Sequence, residues 1–484
     1  MKTKTERCIR EIRGITAFEI FERLREKGDF LLESSLKNQL GKFTIAGFKP
    51  YLSIEECGRG FTVNGKAFQG DILSYIKKYL KENGITEKDL EMMGISGEDI
   101  PFVDGCIGYF TYGFGMGQMG IKSKHREKIK MPKAMFKFYD FVVVENHEEN
   151  RIFLICNGKT NDSRELMEEV SRKIEALKHD IDRGEERNRK EVNYFQKEGK
   201  HLRNGEKLCF GNKNSWKCDF SKEEYKRAVS HMIERICAGD IYVVNMTQQL
   251  NISGEKKPFQ VYTSLRERNP APFSAFLEED EYSILCASPE RFLKCESGRV
   301  WTRPIKGTRR RGVTEQEDLQ FREELANSEK DRCELRMIVD LERNDFNKVC
   351  APGSVKVPRM FDIEEYATVF HLSSTVEGTL GDSDVTDLIS ASFPGGSITG
   401  APKRRAMELI DDIEKSSRGL YTGCIGYIGL DGNCDFNIVI RTAVYQDGIY
   451  QMGAGGGITW ESELEFEYEE VFQKALALEK AIVE

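Results

Sequence analysis

A strongly polar stretch, from Asp182 to about Asn214, divides the 484-residue chain. It contains few large apolar residues and cannot bury a core of its own, so we interpret it as a linker. The chain is also longer than one compact core usually requires. We therefore expect an N-terminal region over residues 1–160, a helix and polar linker over 161–214, and a C-terminal domain over 215–484.

Capping signals predict a helix on each side of this linker. Asp162 with Glu165 can form a capping box, and Ser221 with Glu224 can form a second one. Gly239 stands where the second helix should stop. Apolar residues follow the first box at helical spacing, namely Leu166, Val170, Ile174, Leu177 and Ile181. Short strand-like runs in the N-terminal region, and strands alternating with helices in the C-terminal one, indicate a mixed fold.

Bulk properties exclude several classes of protein. The net charge of −8 and the pI near 5.7 argue against nucleic acid as the main partner. The first residues lack the apolar core of a signal peptide, and no segment has the roughly 18–20 apolar residues of a membrane span. Thirteen cysteines occur without a C-x-x-C pair, which suits reduced thiols. We expect a cytoplasmic protein that binds neither nucleic acid nor membrane.

Two acidic segments predict a cation site. Asp331 and Glu334 lie three apart in a predicted helix from Asn327 to Leu341, so their carboxylates share one face. The C-terminal helix is predicted to carry Glu461, Glu463, Glu465, Glu467, Glu469 and Glu470. Taken alone this run indicates a solvated acidic face. Two such helices together offer carboxylate oxygens of the kind that Mg²⁺ prefers.

Three further segments indicate an anionic ligand. The glycine-rich turn from Gly395 to Lys403 precedes a helix, where backbone N–H groups favour an anion. Residues 453–457 are interpreted as a second permissive loop. Residues 303–311 are either an exposed basic loop or a site in which neighbouring cations lower the pKa of Lys306, so that its amine becomes a nucleophile. Together these segments predict a small polyanionic substrate.

Five segments of the C-terminal half resemble, in order, motifs of the chorismate-utilising enzymes, which include the anthranilate, aminodeoxychorismate, isochorismate and salicylate synthases. They are Ser288-Pro-Glu-Arg-Phe292, Pro304-Ile-Lys-Gly-Thr308, Met337-Ile-Val-Asp-Leu-Glu-Arg-Asn-Asp345, Gly396-Ser-Ile-Thr-Gly-Ala-Pro-Lys403 and Ile440-Arg-Thr-Ala443. The resemblance implies an α+β fold like that of anthranilate synthase component I, with two interleaved subdomains, each a sheet with helices outside.

The resemblance also implies roles for individual residues. Glu290 matches the general acid that protonates the C4 hydroxyl of chorismate, since hydroxide leaves poorly. His371 matches a histidine beside the reacting ring. Glu334 and Glu470 match the Mg²⁺ ligands, supported by Glu467 and Asp331. The expected substrate-binding residues are Thr308, Thr399, Gly400, Tyr421, Arg441, Gly456, Gly457 and Lys474.

A second ligand site is implied by the N-terminal half. Residues 31–35, Leu-Leu-Glu-Ser-Ser, resemble the tryptophan-contacting strand of anthranilate synthase components, and residues 269–273, Asn-Pro-Ala-Pro-Phe, resemble the rest of that site. The residues that would contact tryptophan are Glu33, Ser34, Pro272 and Phe273. Related aminodeoxychorismate synthases keep a similar pocket, so these residues do not decide which reaction is catalysed.

Lys306 distinguishes the branches of the family. Anthranilate synthases typically have alanine there, whereas lysine is typical of aminodeoxychorismate synthases, in which it is thought to attack C2. The lysine with which isochorismate and salicylate synthases activate water is replaced by Val243, where amine-using members usually have glutamine. The resemblance therefore implies amination of chorismate at C4, with anthranilate synthesis as the alternative.

No segment resembles a glutaminase, so ammonia would come from a separate glutamine amidotransferase subunit or from free ammonium. A silent, tryptophan-binding regulatory subunit is a third alternative. The presence of Glu290, Lys306, Glu334, His371 and Glu470 argues against it, because a silent relative has no chemical need for all five.

Overall fold

The computed structural model describes residues 7–58, 60–95, 99–160, 162–188, 216–365 and 369–484. Its strands are β1 (Cys8–Ile12), β2 (Phe30–Glu33), β3 (Phe43–Cys57), β4 (Gly60–Val63), β5 (Lys66–Gln69), β6 (Gly105–Phe110), β7 (Ala134–Asn146), β8 (Arg151–Cys156), β9 (Lys217–Cys218), β10 (Val243–Ser253), β11 (Phe273–Glu278), β12 (Ser283–Ser288), β13 (Arg291–Glu296), β14 (Arg299–Thr302), β15 (Ile305–Arg310), β16 (Lys356–Glu365), β17 (Val369–Thr379), β18 (Gly400–Ala401), β19 (Cys424–Gly429), β20 (Cys434–Asn437), β21 (Thr442–Gln446) and β22 (Ile449–Ile458).

The α-helices within the same residues are α1 (Ala17–Leu24), α2 (Ile72–Asn83), α3 (Glu87–Met92), α4 (Tyr112–Gln118), α5 (Ser163–Asn188), α6 (Lys222–Cys237), α7 (Pro258–Arg268), α8 (Glu315–Asn327), α9 (Glu329–Asn347), α10 (Val385–Ser392), α11 (Lys403–Ile413) and α12 (Leu464–Val483). None of the described helices is both long enough and apolar enough to cross a membrane.

Two long strands, β3 and β7, belong to two sheets at once. Residues 141–146 of β7 pair with β8, whereas residues 134–138 pair with β6 on the same edge. The first sheet continues from β3 through β2, β11, β12, β21 and β22 to β10. The second continues from β6 through β19, β20, β13 and β14 to β17, which also pairs with β15 and β16.

Both halves of the sequence contribute strands to each sheet. β2 pairs with β11 in the first sheet, and β6 pairs with β19 in the second. The predicted α+β fold with two interleaved sheet-and-helix subdomains is therefore confirmed. The boundaries proposed for the sequence regions remain a prediction.

Both faces of the first sheet are buried. Its strands are apolar at successive positions, rather than at every second position as in a strand with one face in water. In β7, Val142 and Val144 join a core shared with the second sheet, whereas Phe141 and Val143 join a core beneath helices. Successive side chains of a strand point to opposite faces, so an all-apolar strand can feed two cores. Helices α1, α5, α6, α7, α11 and α12 cover the outer face of the first sheet.

The helix signals in the sequence located α5 and α6 correctly. Asp162 accepts a hydrogen bond from the backbone N–H of Glu165, and Ser221 and Glu224 form a complete capping box. The linker prediction was wrong at its start, because residues 182–188 continue α5 to Asn188. Arginine and glutamate are good helix formers, so a polar segment need not end a helix. Residues 189–214 of the predicted linker lie outside the described residues.

Two more element predictions need correction. The helix predicted from Asn327 to Leu341 begins at Glu329, where Ser328 caps it, and continues to Asn347. Residues 453–457, predicted as a loop, lie inside β22 and pair with β10. Glycines are rare in strands, but here none of the four positions has room for a side chain; a Cβ on Gly453 would lie 2.2 Å from the Tyr421 ring, and one on Gly455 would lie 2.0 Å from the backbone oxygen of Met246.

The segment Gly-Cys-Ile-Gly-Tyr occurs twice, at residues 105–109 and 423–427, and its two copies lie in neighbouring strands. β6 and β19 pair antiparallel, with Gly108 opposite Gly426, and every residue of both strands is buried. A Cβ on Gly108 would lie 1.9 Å from the backbone oxygen of Met135, and one on Gly426 would lie 2.0 Å from that of Asp435. Backbone cannot give way as a side-chain tip can, so both positions require glycine.

We expect Gly108→Ala to lower the free energy of unfolding by about 1–3 kcal/mol or more, because the added methyl overpacks the β6–β7 pair. Gly117→Ala is the matched control, since nothing lies within 4 Å of a Cβ there and alanine favours helix α4. Urea unfolding followed by circular dichroism measures both. Equal stability of the Gly108 and Gly117 variants would contradict the packing described.

Candidate active site

Two connections between the sheets run side by side and form the floor of the site. Residues 289–290 lead from β12 to β13, and residues 438–441 lead from β20 to β21. The backbone N–H of Ile438 donates to the carbonyl of Glu290 at 3.0 Å, and Ser288 Oγ donates to the carbonyl of Ile438 at 2.6 Å. Glu290 and Arg441 therefore lie at the same place, where the chain changes sheets.

Glu290 is a buried carboxyl with defined partners. Ser397 Oγ donates to its Oε1 at 2.8 Å, and the backbone N–H of Ile305 also hydrogen-bonds to it. Burial raises the pKa of Glu290, although the Ser397 hydrogen bond and the charge of Lys306 oppose that rise. A carboxyl with a raised pKa holds its proton to higher pH, which suits a general acid.

Lys306 lies on β15, and its amine points to the same turn. Its Nζ donates to the carbonyl of Ser397 at 3.1 Å and lies 2.9 Å from Oε1 of Glu334. Ser397 therefore contacts Glu290 through its hydroxyl and Lys306 through its carbonyl. The residues around the glycine-rich turn thus bring the predicted acid and the predicted nucleophile together.

The expectation that neighbouring cations lower the pKa of Lys306 was wrong. Burial alone lowers it, but Glu334, with smaller contributions from Glu290 and Glu470, raises the pKa above the ordinary value. The four arginines of residues 303–311 form ion pairs with carboxylates: Arg303 with Glu364, Arg309 with Glu324 and Asp331, Arg310 with Glu317, and Arg311 with Asp318. Most of the segment is strand β15, so it is not an exposed basic loop.

The predicted metal ligands converge from two helices on two glycines. A Cβ at Gly457 would lie 2.3 Å from Oε1 of Glu334 on α9, and one at Gly456 would lie 2.3 Å from Oε2 of Glu470 on α12. Within the described residues no group of three or more His, Cys, Asp or Glu side chains forms a ready-made metal cage. Mg²⁺ commonly binds through one or two carboxylates and an anionic substrate, so two converging glutamates fit it.

Three of the four predicted metal-binding carboxylates, those of Glu334, Glu470 and Asp331, form ion pairs with basic side chains. Lys306 contacts Glu334 through Oε1, and Lys474 contacts Glu470 through Oε2 at 2.9 Å. These are the same oxygen atoms that face the two glycines. The third pair, Arg309 with Asp331, is 3.2 Å long.

The fourth carboxylate, Glu467, lies on α12 one turn before Glu470. Burial and the charge of Glu470 raise its pKa to about 7, and a hydrogen bond from Ser462 opposes the rise. A carboxyl poised in this way would ionise readily when a cation is added beside it.

His371 and Thr308 pair directly across strands β17 and β15. Thr308 Oγ1 and His371 Nδ1 are 2.9 Å apart. Burial and the positive charge of Arg441 lower the pKa of His371 to about 4, against a backbone hydrogen bond at Gly307. The imidazole is therefore neutral at physiological pH and can donate or accept a hydrogen bond.

The remaining predicted substrate groups lie around the two glycines. Lys474 Nζ donates to the carbonyl of Gly455 at 2.7 Å, and Arg441 donates to the carbonyl of Lys474 at 3.0 Å. Burial lowers the pKa of Arg441, although Glu470 opposes this. Tyr421 is buried against Gly453. A guanidinium, an ammonium and a phenol are thus available for carboxylates.

Thr399 and Gly400 stabilise the glycine-rich turn from Gly395 to Lys403. Thr399 Oγ1 donates to the carbonyl of Gly395 at 2.9 Å, so its hydroxyl is engaged within the turn. Gly400 has a φ of +151°, and a Cβ there would lie 2.3 Å from the carbonyl oxygen of Val243. Val243 itself is buried in a small apolar cluster with Ile338, Ala401 and Leu341.

The four residues of the predicted tryptophan site line one cavity, and none of the proposed catalytic residues lines it. It is bordered by Glu33, Ser34, Pro272 and Phe273, and also by Arg291 and Asn437. The Glu33 carboxylate points to helix α7, where Tyr262 and Arg266 both donate to it at 2.6 Å. Ser34 Oγ donates to the carbonyl of Pro272 at 2.8 Å.

Sequence reasoning did not identify Ser397, Thr302 or Glu342 as site residues. Ser397 lies inside the glycine-rich motif, so the sequence could have placed it near the site, but nothing in the sequence indicates its contacts with Glu290 and Lys306. Glu342 is eight residues beyond Glu334 on α9, and this spacing places it on the same helix face. Thr302 carries no sequence signal, because it meets Glu342 only through the fold.

Comparison with known proteins agrees with this geometry. A family model described as chorismate binding enzyme matches residues 31–480. Anthranilate synthase component 1 of Aquifex aeolicus is 35% identical over 477 residues, covering 96% of this chain and 92% of that one. Aminodeoxychorismate synthase component 1 of Bacillus subtilis is 33% identical over 469 residues, covering 96% and 93%.

A solved structure shares the fold. The crystal structure of anthranilate synthase component I from Streptococcus pneumoniae superposes with a TM-score of 0.72 at 25% identity, covering 96% of this chain and 98% of that one. Both the predicted resemblance and the predicted fold are thus confirmed. The chain belongs to the family of chorismate-binding enzymes.

Proposed function

We propose that this chain aminates chorismate at C4 and forms 4-amino-4-deoxychorismate, the precursor of p-aminobenzoate for folate biosynthesis. The observation that supports this most is the position of Lys306. Its amine lies beside the turn that holds Glu290 and beside Glu334, a proposed metal ligand. An alanine at that position would leave no nucleophile there.

The first chemical step loses the C4 hydroxyl. Lys306 first gives its ammonium proton to a base, for which the Glu334 carboxylate, 2.9 Å from Nζ, is suitably placed. The neutral amine then bonds to C2, both double bonds of the ring diene shift by one position, and the C4–O bond breaks. Glu290 gives its proton to the departing oxygen, which leaves as water. Burial raises the pKa of Glu290, which favours the protonated form that this step requires.

The second step installs nitrogen at C4. Ammonia bonds to C4, both double bonds shift back, and the C2–N bond to Lys306 breaks; the released amine then takes its proton back from Glu334. The ammonia nitrogen loses a proton, the Glu290 carboxylate regains one, and the lysine is released unchanged. Because the lysine nitrogen occupies C2 throughout, ammonia cannot add there. Pyruvate stays on the product, since the enolpyruvyl ether is not broken.

Several side chains would orient the substrate. Arg441, Lys474 and Tyr421 would bind its carboxylates, and neutral His371, held by Thr308, would hydrogen-bond beside the ring. Glu334 and Glu470 would hold Mg²⁺, with Glu467 and Asp331 supporting them. The ion would neutralise the ring carboxylate, which makes attack at C2 easier.

Ammonia would come from a separate glutamine amidotransferase subunit, so we expect a heterodimer in the cytoplasm. The alternative function is anthranilate synthesis with release of pyruvate. It is favoured by the Aquifex aeolicus relative, whose identity and coverage match those of the Bacillus subtilis relative. The cavity beside Glu33 and Phe273 would bind tryptophan under either function.

The products of chorismate test the proposal. Purified protein with chorismate, Mg²⁺ and ammonium should yield p-aminobenzoate only when an aminodeoxychorismate lyase is added. Lys306→Ala should lose this product, because no amine remains to attack C2. Mass spectrometry of the mixture identifies every product. Lys173→Ala, on the exposed face of helix α5, is the control and should keep wild-type activity.

Anthranilate and pyruvate formed without the lyase would overturn the proposal and establish the alternative. Full production of aminodeoxychorismate by Lys306→Ala would instead keep the product and exclude the covalent route.

Metal affinity gives a second prediction. Lys306→Met should bind Mn²⁺, a spectroscopic substitute for Mg²⁺, roughly three- to tenfold more tightly, because removing the ammonium frees Oε1 of Glu334. Electron paramagnetic resonance of free Mn²⁺ measures this without turnover. Lys348→Met, at the C-terminal cap of α9 and about 21 Å from Glu334 along the helix axis, should leave the affinity for Mn²⁺ unchanged. Unchanged or weaker binding by Lys306→Met would show that the lysine and the metal do not compete.

A further inference from the structure

Glu342 is a buried carboxyl for which the reaction above has no use. It lies on α9, on the face that also carries Glu334, and only 7% of its surface is exposed. Thr302 Oγ1 is 3.1 Å from its Oε2. An ionised carboxylate in such a place would need more than one hydrogen bond to offset its desolvation.

The hydroxyl of Thr302 has only one hydrogen to give. It donates to the backbone carbonyl of Phe292 at 2.7 Å, which is the shorter of its two contacts. The contact with Glu342 is then satisfied only if Glu342 carries a proton and donates it to Thr302. A chain of hydrogen bonds therefore runs from Glu342 through Thr302 to Phe292, two residues after Glu290.

Glu342 also lies beside the Gly396–Ser397 turn, which contacts Glu290. A Cβ on Gly396 would lie 3.0 Å from the Leu341 side chain and 3.6 Å from Cγ of Glu342, so this turn lies against two neighbouring side chains of α9. The next residue, Ser397, donates to Glu290. Glu342 thus lies beside the Gly396–Ser397 turn and reaches the carbonyl of Phe292 through Thr302, and these two segments fix the position of the proposed acid.

The electrostatics agree with a protonated group. Burial is the largest cause that raises the pKa of Glu342 to about 8, and Glu290 and Asp345 raise it further when they are ionised; the charge of Lys403, and a hydrogen bond that Thr302 would give to the ionised form, oppose the rise. Glu290, Asp345 and Lys403 are the charged groups that act on it. The carboxyl is therefore protonated below about pH 8 and ionised above it.

We propose that Glu342 is a positioning residue that acts, as a hydrogen-bond donor, through Thr302 and the Gly396–Ser397 turn to hold Glu290 against the substrate. The inference rests on the proposed role of Glu290 and does not depend on which product is formed. Above about pH 8 the donor is lost, and a new negative charge appears behind Glu290.

Glu342→Met and Glu342→Gln separate this role from simple packing. Methionine fills the space without donating, so kcat for chorismate consumption should fall about tenfold with KM unchanged. Glutamine keeps a donor and cannot ionise, so kcat should stay near the wild-type value at neutral pH. Its decline at alkaline pH should also disappear or begin at higher pH than in the wild type, whose decline should be centred near pH 8.

Thr302→Val and Thr302→Ser test the same contact from the other side. Valine should reproduce the loss in Glu342→Met, and serine should restore the rate. Thermal unfolding identifies any variant that fails to fold. If Glu342→Met or Thr302→Val does so, Glu342→Gln and Thr302→Ser still test the inference, because both keep a hydrogen-bonding group. The inference is overturned if Glu342→Gln and the wild type have the same alkaline limb, or if Glu342→Met keeps the wild-type kcat.

Glu290→Gln shows which proposal has failed. If that variant is inactive while the Glu342 variants behave like the wild type, only the positioning role is wrong. If Glu290→Gln keeps activity, both the acid and the residue proposed to position it are wrong.

Discussion

The antiparallel pair of β3 and β7 joins the two sheets, and the arrangement of the fold depends on it. Eleven residue pairs join the two strands, and each strand is long enough to enter both sheets. Because the sheets share this pair, their inner faces pack on one core, and the chain must cross between them. Glu290 and Arg441 lie on two of these crossings, so the proposed acid and a substrate-binding cation meet as a consequence of the topology.

The charged side chains of the proposed active site neutralise one another in ion pairs. Lys306 holds Glu334, Lys474 holds Glu470, and Arg309 holds Asp331. Buried charges are costly unless they are paired, so such a site can be stable and still present both signs to a polyanion and a divalent cation. Any ligand must compete with these pairs, and the same groups therefore govern both stability and binding.

The sequence predicted the fold class, and several of its candidate site residues, among them Glu290, Lys306 and Glu334, lie around one turn in the structure, although their catalytic roles remain predictions. It did not predict how they are held. The pKa of Lys306 was expected to be low because arginines are adjacent in sequence, yet those side chains form ion pairs with acids of α8, α9 and β16. The contact of Thr302 with Glu342 joins residues forty positions apart, which no local pattern reveals.

A covalent bond between Lys306 and the substrate is the central claim. It is tested most directly by mixing the protein with chorismate and Mg²⁺ in the absence of ammonia, quenching with acid, and mapping peptides by mass spectrometry. The account predicts that the peptide containing Lys306 gains the mass of chorismate less one water, and that Lys306→Ala gains none. An unmodified Lys306 peptide in protein that makes aminodeoxychorismate once ammonium is added would contradict it.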